Sequence, residues 1–518
     1  MEQSGLHFGA AYYIDGVSLG EIRADLEAMV RAGMNLVRLG AKHWEESTLR
    51  ALPGVLALCR ELGLMSVLAL PELPEETLEI LEQADADAFQ VTANAPWTGR
   101  QLERLQGKRT VVKTELVSAA NPFGAAGKNM LGCGIFHEAG LKNTGSELNF
   151  QADLARAAAK DNFWVLETQS QGALGQLPYP GQLRLAAFHH VASGAGCVCY
   201  WPWNSETSAG TDWQGIIGYD GQPGRAYREI SQIGREFSML ETHLAGLTKR
   251  SRIGILVSPR SARLMPKIGG KGYDDYLKWV CDSFYRLNIE VELVEDKSRD
   301  FSRFALLVTP CLYSAGKELT EAIRDYVARG GCLLSTFRSF FADEEGNLCR
   351  QLRPCGMTDV FSMHYSEFTV PEEVCLPEYM AEVSEFMELL RLDEAMGLAI
   401  YDSPAWRGVP AACCSRFGKG QAAYFGCYSE EGFEPILLRL LAMWHIPVPE
   451  TAWPVVQKRG INRDGKNLTF LLHYSPASRV IPSPATGVEL FSGRHLDEGE
   501  PLELKGWDVN ILEGDLLA

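Results

Sequence analysis

Apolar residues recur along the first 240 or so positions with two alternating periods. "HFGAAYY" (7–13) is a short run of strand type, "SLGEIRADLEAMVRAGM" (18–34) carries apolar residues at helical spacing behind a capping Ser18, and "NLVRLG" (35–40) is a strand again. Strand, helix and strand in succession make a βαβ unit, which implies parallel strands. The alternation continues through "LMSVLALP" (64–71), the helix "EETLEILEQAD" (75–85), and the strands "AFQVTANAP" (88–96), "RTVVKTELV" (109–117), "NMLGCGIF" (129–136), "FWVLETQ" (163–169) and "GCVCYWPW" (196–203). Eight parallel strands with intervening helices over this length predict a (β/α)8 TIM barrel, residues 1–245, rather than an open sheet.

A second alternation begins at "RSRIGILVSP" (250–259) and runs through the helix "DDYLKWVCDSFYRLN" (274–288), the strands "IEVELVED" (289–296) and "FALLVTPCL" (303–312), then "ELTEAIRDYVARGGCLLSTF" (318–337) and "GKGQAAYFGCY" (418–428). It predicts a doubly wound α/β domain over 250–448. Its "ARGG" (328–331) reads as a glycine helix C-cap, and no GxGxxG follows a strand there. From 449 to 518 short alternating segments such as "NLTFLLHYS" (467–475) and "GVELFSGR" (487–494) predict a small antiparallel β domain.

Composition narrows the partners. The 518 residues are 46% hydrophobic, enough for large cores, and 66 acidic against 49 basic residues give a formal charge of −17 without long like-charge runs. Such a surface disfavours nucleic acid and anionic membranes. The start "MEQSGLHFGAAYY" has no signal-peptide pattern and no long uncharged apolar window follows, so a cytoplasmic location is expected. Thirteen cysteines without CxxC pairs or zinc spacing read as buried free thiols, so no metal site is predicted.

Candidate chemistry centres on "FWVLETQSQG" (163–172), where an apolar strand runs into Glu167. The C-terminal strand ends of a barrel point into the active-site mouth, and a carboxylate there must be paired or face a polar cleft. Taken with "PYPGQLRLAAFHHVASGAGCVCYWPWNSETSAGTDWQGIIGYDGQPGRAYREISQIGREF" (178–237) and the opening "FGAAYYIDG", the segment resembles the family 42 glycoside hydrolases, the β-galactosidases. The middle region is similar to that family's amidotransferase-like (flavodoxin-like) trimerisation domain, and the last 70 residues to its small β domain.

The resemblance implies a retaining glycosidase that is trimeric, binds carbohydrate and needs no cofactor. On it, Glu167 is the nucleophile and Arg38 orients a catalytic carboxylate. The family's acid/base is the Glu of an Asn-Glu pair ending strand four; here Asn94 is followed by Ala95, which has no proton to give. The chain also lacks on the order of a hundred residues between strands three and seven, including the zinc-binding cysteines of many members, a loss that loops tolerate.

Two other acids stand near the vacated position. Glu115 ends strand five and shares a strand face with Lys113, which makes it either a substitute acid or half of a Lys–Glu pair. Glu138 follows strand six beside His137. Trp201 and Trp203 end strand eight, where aromatic faces stack on a sugar's apolar face, and Trp44 and Trp97 fall where they line the same cleft. Glu206 and Asp212 lie where the family keeps acids for sugar hydroxyls; His189 and His190, on a helix outside the barrel, read as structural. Two functions follow: hydrolysis of terminal β-galactosides or related sugars, or, because of Ala95, an impaired relative that binds glycan or serves as an assembly subunit.

Overall fold

The computed structural model describes residues 5–72, 74–93, 95, 98–114, 127, 129–171, 176–205 and 214–515. Strands β1 (His7–Tyr13), β2 (Leu36–Gly40), β3 (Met65–Leu70), β4 (Ala88–Thr92), β5 (Thr110–Thr114), β6 (Met130–Gly134), β7 (Phe163–Gln169) and β8 (Ala195–Trp201) form a closed barrel in chain order. Neighbouring strands are parallel and β8 returns to β1, so the expected TIM barrel is the observed one. The helices between and after them are α1 (Leu19–Arg31), α2 (Glu46–Glu61), α3 (Glu75–Glu82), α4 (Thr98–Arg104), α5 (Ser146–Ala159), α6 (Gln182–Ala192) and α7 (Arg225–Leu244). Ser18 caps α1 in a capping box with Glu21, which satisfies amide donors that the first turn leaves without helical partners.

Leu36, Val67, Ala88, Val111, Trp164, Leu166, Cys197 and Cys199, from six of the strands, form one buried apolar cluster. Side chains two residues apart on a strand share a face. Arg38, Gln90 and Lys113 each stand two residues beyond a cluster member of their own strand, toward its C-terminal end. The mouth of the barrel is therefore polar where its interior is apolar.

The same parity would turn Glu167 outward, because Trp164 and Leu166 already occupy the inner face. A β-bulge reverses it. Trp164, Val165 and Glu167 pair with Gly132, Cys133 and Gly134, skipping Leu166, and against β8 the register slips by one between Val165 and Thr168. The extra residue lets Leu166 stay in the core while Glu167 turns inward, and Thr168 then faces α6, its Oγ1 3.4 Å from His190 Nε2. Outside the barrel α7 crosses the end of α1 closely: a Cβ on Gly234 would stand 2.0 Å from the Ala32 carbonyl oxygen.

The C-terminal residues belong to the same compact unit as the barrel. Strands Val455–Ile461, Asn467–His473, Val509–Gly514, Gly487–Glu489 and His495–Leu496 make the expected antiparallel sheet. Arg184 of α6 ties it on, with Nη1 2.8 Å from Asp508 Oδ1 and Nε 2.7 Å from Glu236 Oε2. His189 Nδ1 lies 2.5 Å from the Tyr474 hydroxyl, which fits its structural reading.

Residues 250–450 form the second compact unit. Its sheet orders Glu292–Glu295, Ile253–Val257, Leu306–Thr309, Cys332–Thr336 and Gly420–Phe425 in parallel, the 2-1-3-4-5 arrangement of flavodoxin-like folds, with Pro410–Phe417 and Met396–Ile400 antiparallel at one edge. The thirteen cysteines are free thiols. Among the described residues no helix is long and apolar enough to cross a membrane, and no group of three or more His, Cys, Asp or Glu is arranged to hold a metal ion.

Candidate active site

Glu167 is held between two cations. Its Oε1 lies 3.0 Å from Arg38 Nη1, and its Oε2 lies 2.6 Å from Lys113 Nζ. All three side chains are largely buried, with 15% of Glu167, 9% of Arg38 and 9% of Lys113 exposed. Lys113 reaches across β6, where its register neighbour is Gly132 and that of Glu167 is Gly134, so no side chain stands between the two. Arg38 is fixed in turn by its Nε, which donates to Gln90 Oε1 at 2.5 Å.

Burial alone would raise the Glu167 pKa, but the adjoining Arg38 and Lys113 charges outweigh it and hold the carboxyl below its ordinary value. The group is ionised at neutral pH. It is therefore suited to attack or to stabilise a cation, and unsuited to donate a proton. Thiol chemistry is absent here, since burial pushes Cys133 and Cys199 up to about 12.

His137 is buried, and burial lowers its pKa, which keeps the ring neutral. Its backbone is clamped to the end of β7 by Gln169, whose Oε1 accepts from His137 N at 3.0 Å and whose Nε2 donates to His137 O at 2.5 Å. Glu138 follows it, half-buried.

Trp201 is half-buried at the end of β8, and its Nε1 donates to the Tyr13 hydroxyl at 2.9 Å. Trp44 is buried with an indole N–H that has no hydrogen-bond partner among the described residues. The reading of Trp203 is corrected: it is 0% exposed, donates from Nε1 to Asp25 Oδ1 at 3.0 Å, and packs edge-on against Tyr227. A ring so enclosed has no face to offer a sugar. The Lys113–Glu115 pair falls on Glu115, outside the described residues; the Lys113 ammonium contacts Glu167.

Asn94, Trp97, Glu115, Glu206 and Asp212 lie outside the described residues. Ala95 is described; its amide donates to Thr98 Oγ1 at 3.0 Å, which anchors the turn after β4. Sequence reasoning passed over Lys113 and Gln90 as site residues. The signal was available in the parity of "TVVKT" and "AFQVT", where a polar residue follows a core position by two.

A closed parallel barrel with an ionised carboxylate fixed at the mouth by two cations, followed by a doubly wound domain, defines the class: a (β/α)8-barrel protein equipped for carboxylate chemistry at its strand ends. Residues 133–240 match the family model described as beta-galactosidase, and residues 261–446 match the beta-galactosidase trimerisation domain. Among curated relatives, beta-galactosidase LacZ of Lactobacillus acidophilus is 25% identical over 383 residues, covering 70% of this chain and 56% of the relative. Beta-galactosidase BgaH of Haloferax lucentense is 29% identical over 382 residues, covering 71% and 55%. The chain thus spans little more than half the length of these relatives. A solved beta-galactosidase structure from Rahnella sp. R3 superposes with a TM-score of 0.85 at 16% identity, covering 98% of each chain. The chain is a glycoside hydrolase family 42-like protein.

Proposed function

We propose that the chain is a retaining glycoside hydrolase acting on terminal β-galactosides or related sugars, with Glu167 as nucleophile. The observation that carries this reading is the ionised Glu167 carboxylate set inward at the end of β7 between Arg38 and Lys113. A carboxylate in that state attacks the anomeric carbon, the glycosidic bond breaks as the leaving oxygen is protonated, and water then hydrolyses the glycosyl ester. Arg38 fixes the carboxylate's orientation and its charge.

The second carboxyl of a retaining site stands about 5–5.5 Å from the nucleophile. We assign the role to Glu115, two residues beyond Lys113 in the chain, with Glu138 as the other candidate. Asn94, Glu206 and Asp212 are assigned to sugar hydroxyls, and Trp201 to stacking on the ring. A sugar hydroxyl would satisfy the orphaned Trp44 indole N–H. The match of 261–446 to a trimerisation domain supports a homotrimer, and a light-scattering mass of a single chain would refute it. We assign the protein to the cytoplasm.

Ala95 favours a second reading, a glycan-binding or assembly homologue that no longer turns over. Aryl β-galactosides spanning leaving groups from dinitrophenol to unactivated alcohols separate the two. Turnover across the series that Glu167→Gln abolishes supports the hydrolase with a competent acid. Turnover that survives Glu167→Gln refutes the nucleophile, and silence throughout with retained galactose binding favours the second reading.

A further inference from the structure

We propose that Lys113 is a positioning residue that acts through Glu167 on the second half of the reaction, making the nucleophile the better leaving group so that the glycosyl ester breaks down quickly. The inference rests on the hydrolase reading above, and its basis is the division of one carboxylate between two cations. Arg38 Nη1 lies 3.0 Å from Glu167 Oε1 and Lys113 Nζ lies 2.6 Å from Oε2, so each oxygen has a cation of its own. Whichever oxygen attacks, both contacts feel the change in charge.

Both steps of a retaining hydrolysis alter the charge on this group. In the first, a Glu167 oxygen bonds to the anomeric carbon, the bond to the aglycone breaks, and the leaving oxygen takes a proton or departs as a phenolate. The carboxylate becomes a neutral ester, and its contacts with the cations weaken. In the second, a water oxygen bonds to the anomeric carbon, the electron pair of the bond to Glu167 returns to the carboxylate, and the water gives up a proton. The contacts then regain their strength. Only an interaction that grows toward a transition state accelerates that step, so a cation on the carboxylate slows ester formation and speeds ester breakdown. The Glu167 carboxyl, held below its ordinary pKa by Arg38 and Lys113, is in keeping with this: a weaker base attacks less readily and departs more readily.

Of the two cations Lys113 is the one this role singles out. Arg38 is fixed from three sides by Glu167, Gln90 and Tyr13, which spreads its charge over several partners. The Lys113 ammonium is a compact charge at the shorter distance, and it reaches Glu167 past Gly132 and Gly134 of β6. The arrangement also fits the end of β4, where Ala95 offers no carboxylate to deprotonate the attacking water. A better leaving group lessens the demand on that base. These contacts act on Glu167 directly, whichever acids line the rest of the cleft.

The test times the two steps apart. The dinitrophenyl 2-deoxy-2-fluoro-β-galactoside needs no proton donor for its aglycone, and its fluorine slows both steps enough for the ester to be isolated and located on Glu167 by peptide mass spectrometry. The isolated ester is then followed as it regains activity toward 4-nitrophenyl β-galactoside. Reactivation should be about tenfold or more slower in Lys113→Met than in wild type, the scale of a hydrogen bond to a charged group, while inactivation proceeds at least as fast. Lys113→Arg, which keeps a cation, should recover most of the reactivation rate. A loosened site would slow both steps, so the opposed changes are the mark of the proposed role. Reactivation within about twofold of wild type, or both steps slowed together, overturns the proposal and leaves the hydrolase reading intact. If neither variant folds, wild type decides. A kcat that climbs with leaving-group acidity across aryl β-galactosides, without a burst of phenol, upholds a fast second step; a burst followed by one kcat common to all of them overturns it. A wild-type protein that forms no ester on Glu167 withdraws the hydrolase reading and this inference together.

Discussion

Replacing Glu167 by Gln removes the single anion between two buried cations while keeping the shape of the side chain. At the contact lengths of 3.0 Å to Arg38 and 2.6 Å to Lys113, Coulomb's law at an effective dielectric of about 20 gives about 5–6 kcal/mol for each pair. Part of that sum offsets the desolvation of the carboxylate itself, and breaking a buried pair by deleting one partner costs about 3–5 kcal/mol. We expect Glu167→Gln to lower the melting temperature of the transition that reports the barrel unit by on the order of 6–10 °C in scanning calorimetry at pH 7. The sign of the pH dependence follows from the depressed carboxyl. Its stabilisation is fully present above the unfolded value of 4.5 and fades as pH falls through the lower folded value. The gap between wild type and variant should hold steady from neutral pH down toward 4.5 and narrow below it. Adding Lys113→Met to Glu167→Gln should recover part of the loss, because one orphaned charge and its repulsion from Arg38 disappear together. A single variant that melts within about 2 °C of wild type, or above it, would refute the argument that the two cations depend on this carboxylate.

Trp203→Phe should cost about 1–3 kcal/mol, since Asp25 loses the indole donor and keeps Tyr12 among the described residues, and it should leave KM unchanged; a raised KM for glycosides would restore Trp203 to the sugar cleft. Gly234→Ala drives a methyl against the Ala32 carbonyl at 2.0 Å and should destabilise the barrel unit by about 1–3 kcal/mol or more by thermal melting, whereas Gly63→Ala, which meets no neighbour, should show only the backbone cost of its positive φ. In the second unit Glu388 is buried, its Oε1 receives the Arg338 amide and the Tyr365 hydroxyl, and burial pushes its pKa up to about 7. Folding therefore binds a proton there: the contribution is complete below 4.5 and is lost as pH rises through about 7, up to about 3 kcal/mol in all. Glu388→Gln should flatten that part of the stability profile in urea titrations between pH 5 and 8, and an unchanged slope would count against it.

The sequence by itself carried the architecture. Apolar runs of strand length alternating with helical spacing determine eight parallel strands, and short connections leave a closed barrel as the way to bury them. It also singled out Glu167, because a charged residue at an apolar strand end must be paired or face a polar cleft, and Arg38 through the family resemblance. The approach of those two groups was not legible. Strand parity placed Glu167 on the outer face, and the bulge that turns it inward depends on Leu166 keeping its place in the core, a packing competition between strands far apart in the chain. Lys113 reaches the carboxylate because β6 presents Gly132 and Gly134 between them, a coincidence of register across three strands. Trp203 and Trp201 are two residues apart in one sequence run, yet Asp25 of α1 claims one and Tyr13 of β1 the other. Local pattern fixes which face a side chain takes on an ideal element; only the closed barrel decides which neighbours meet it there.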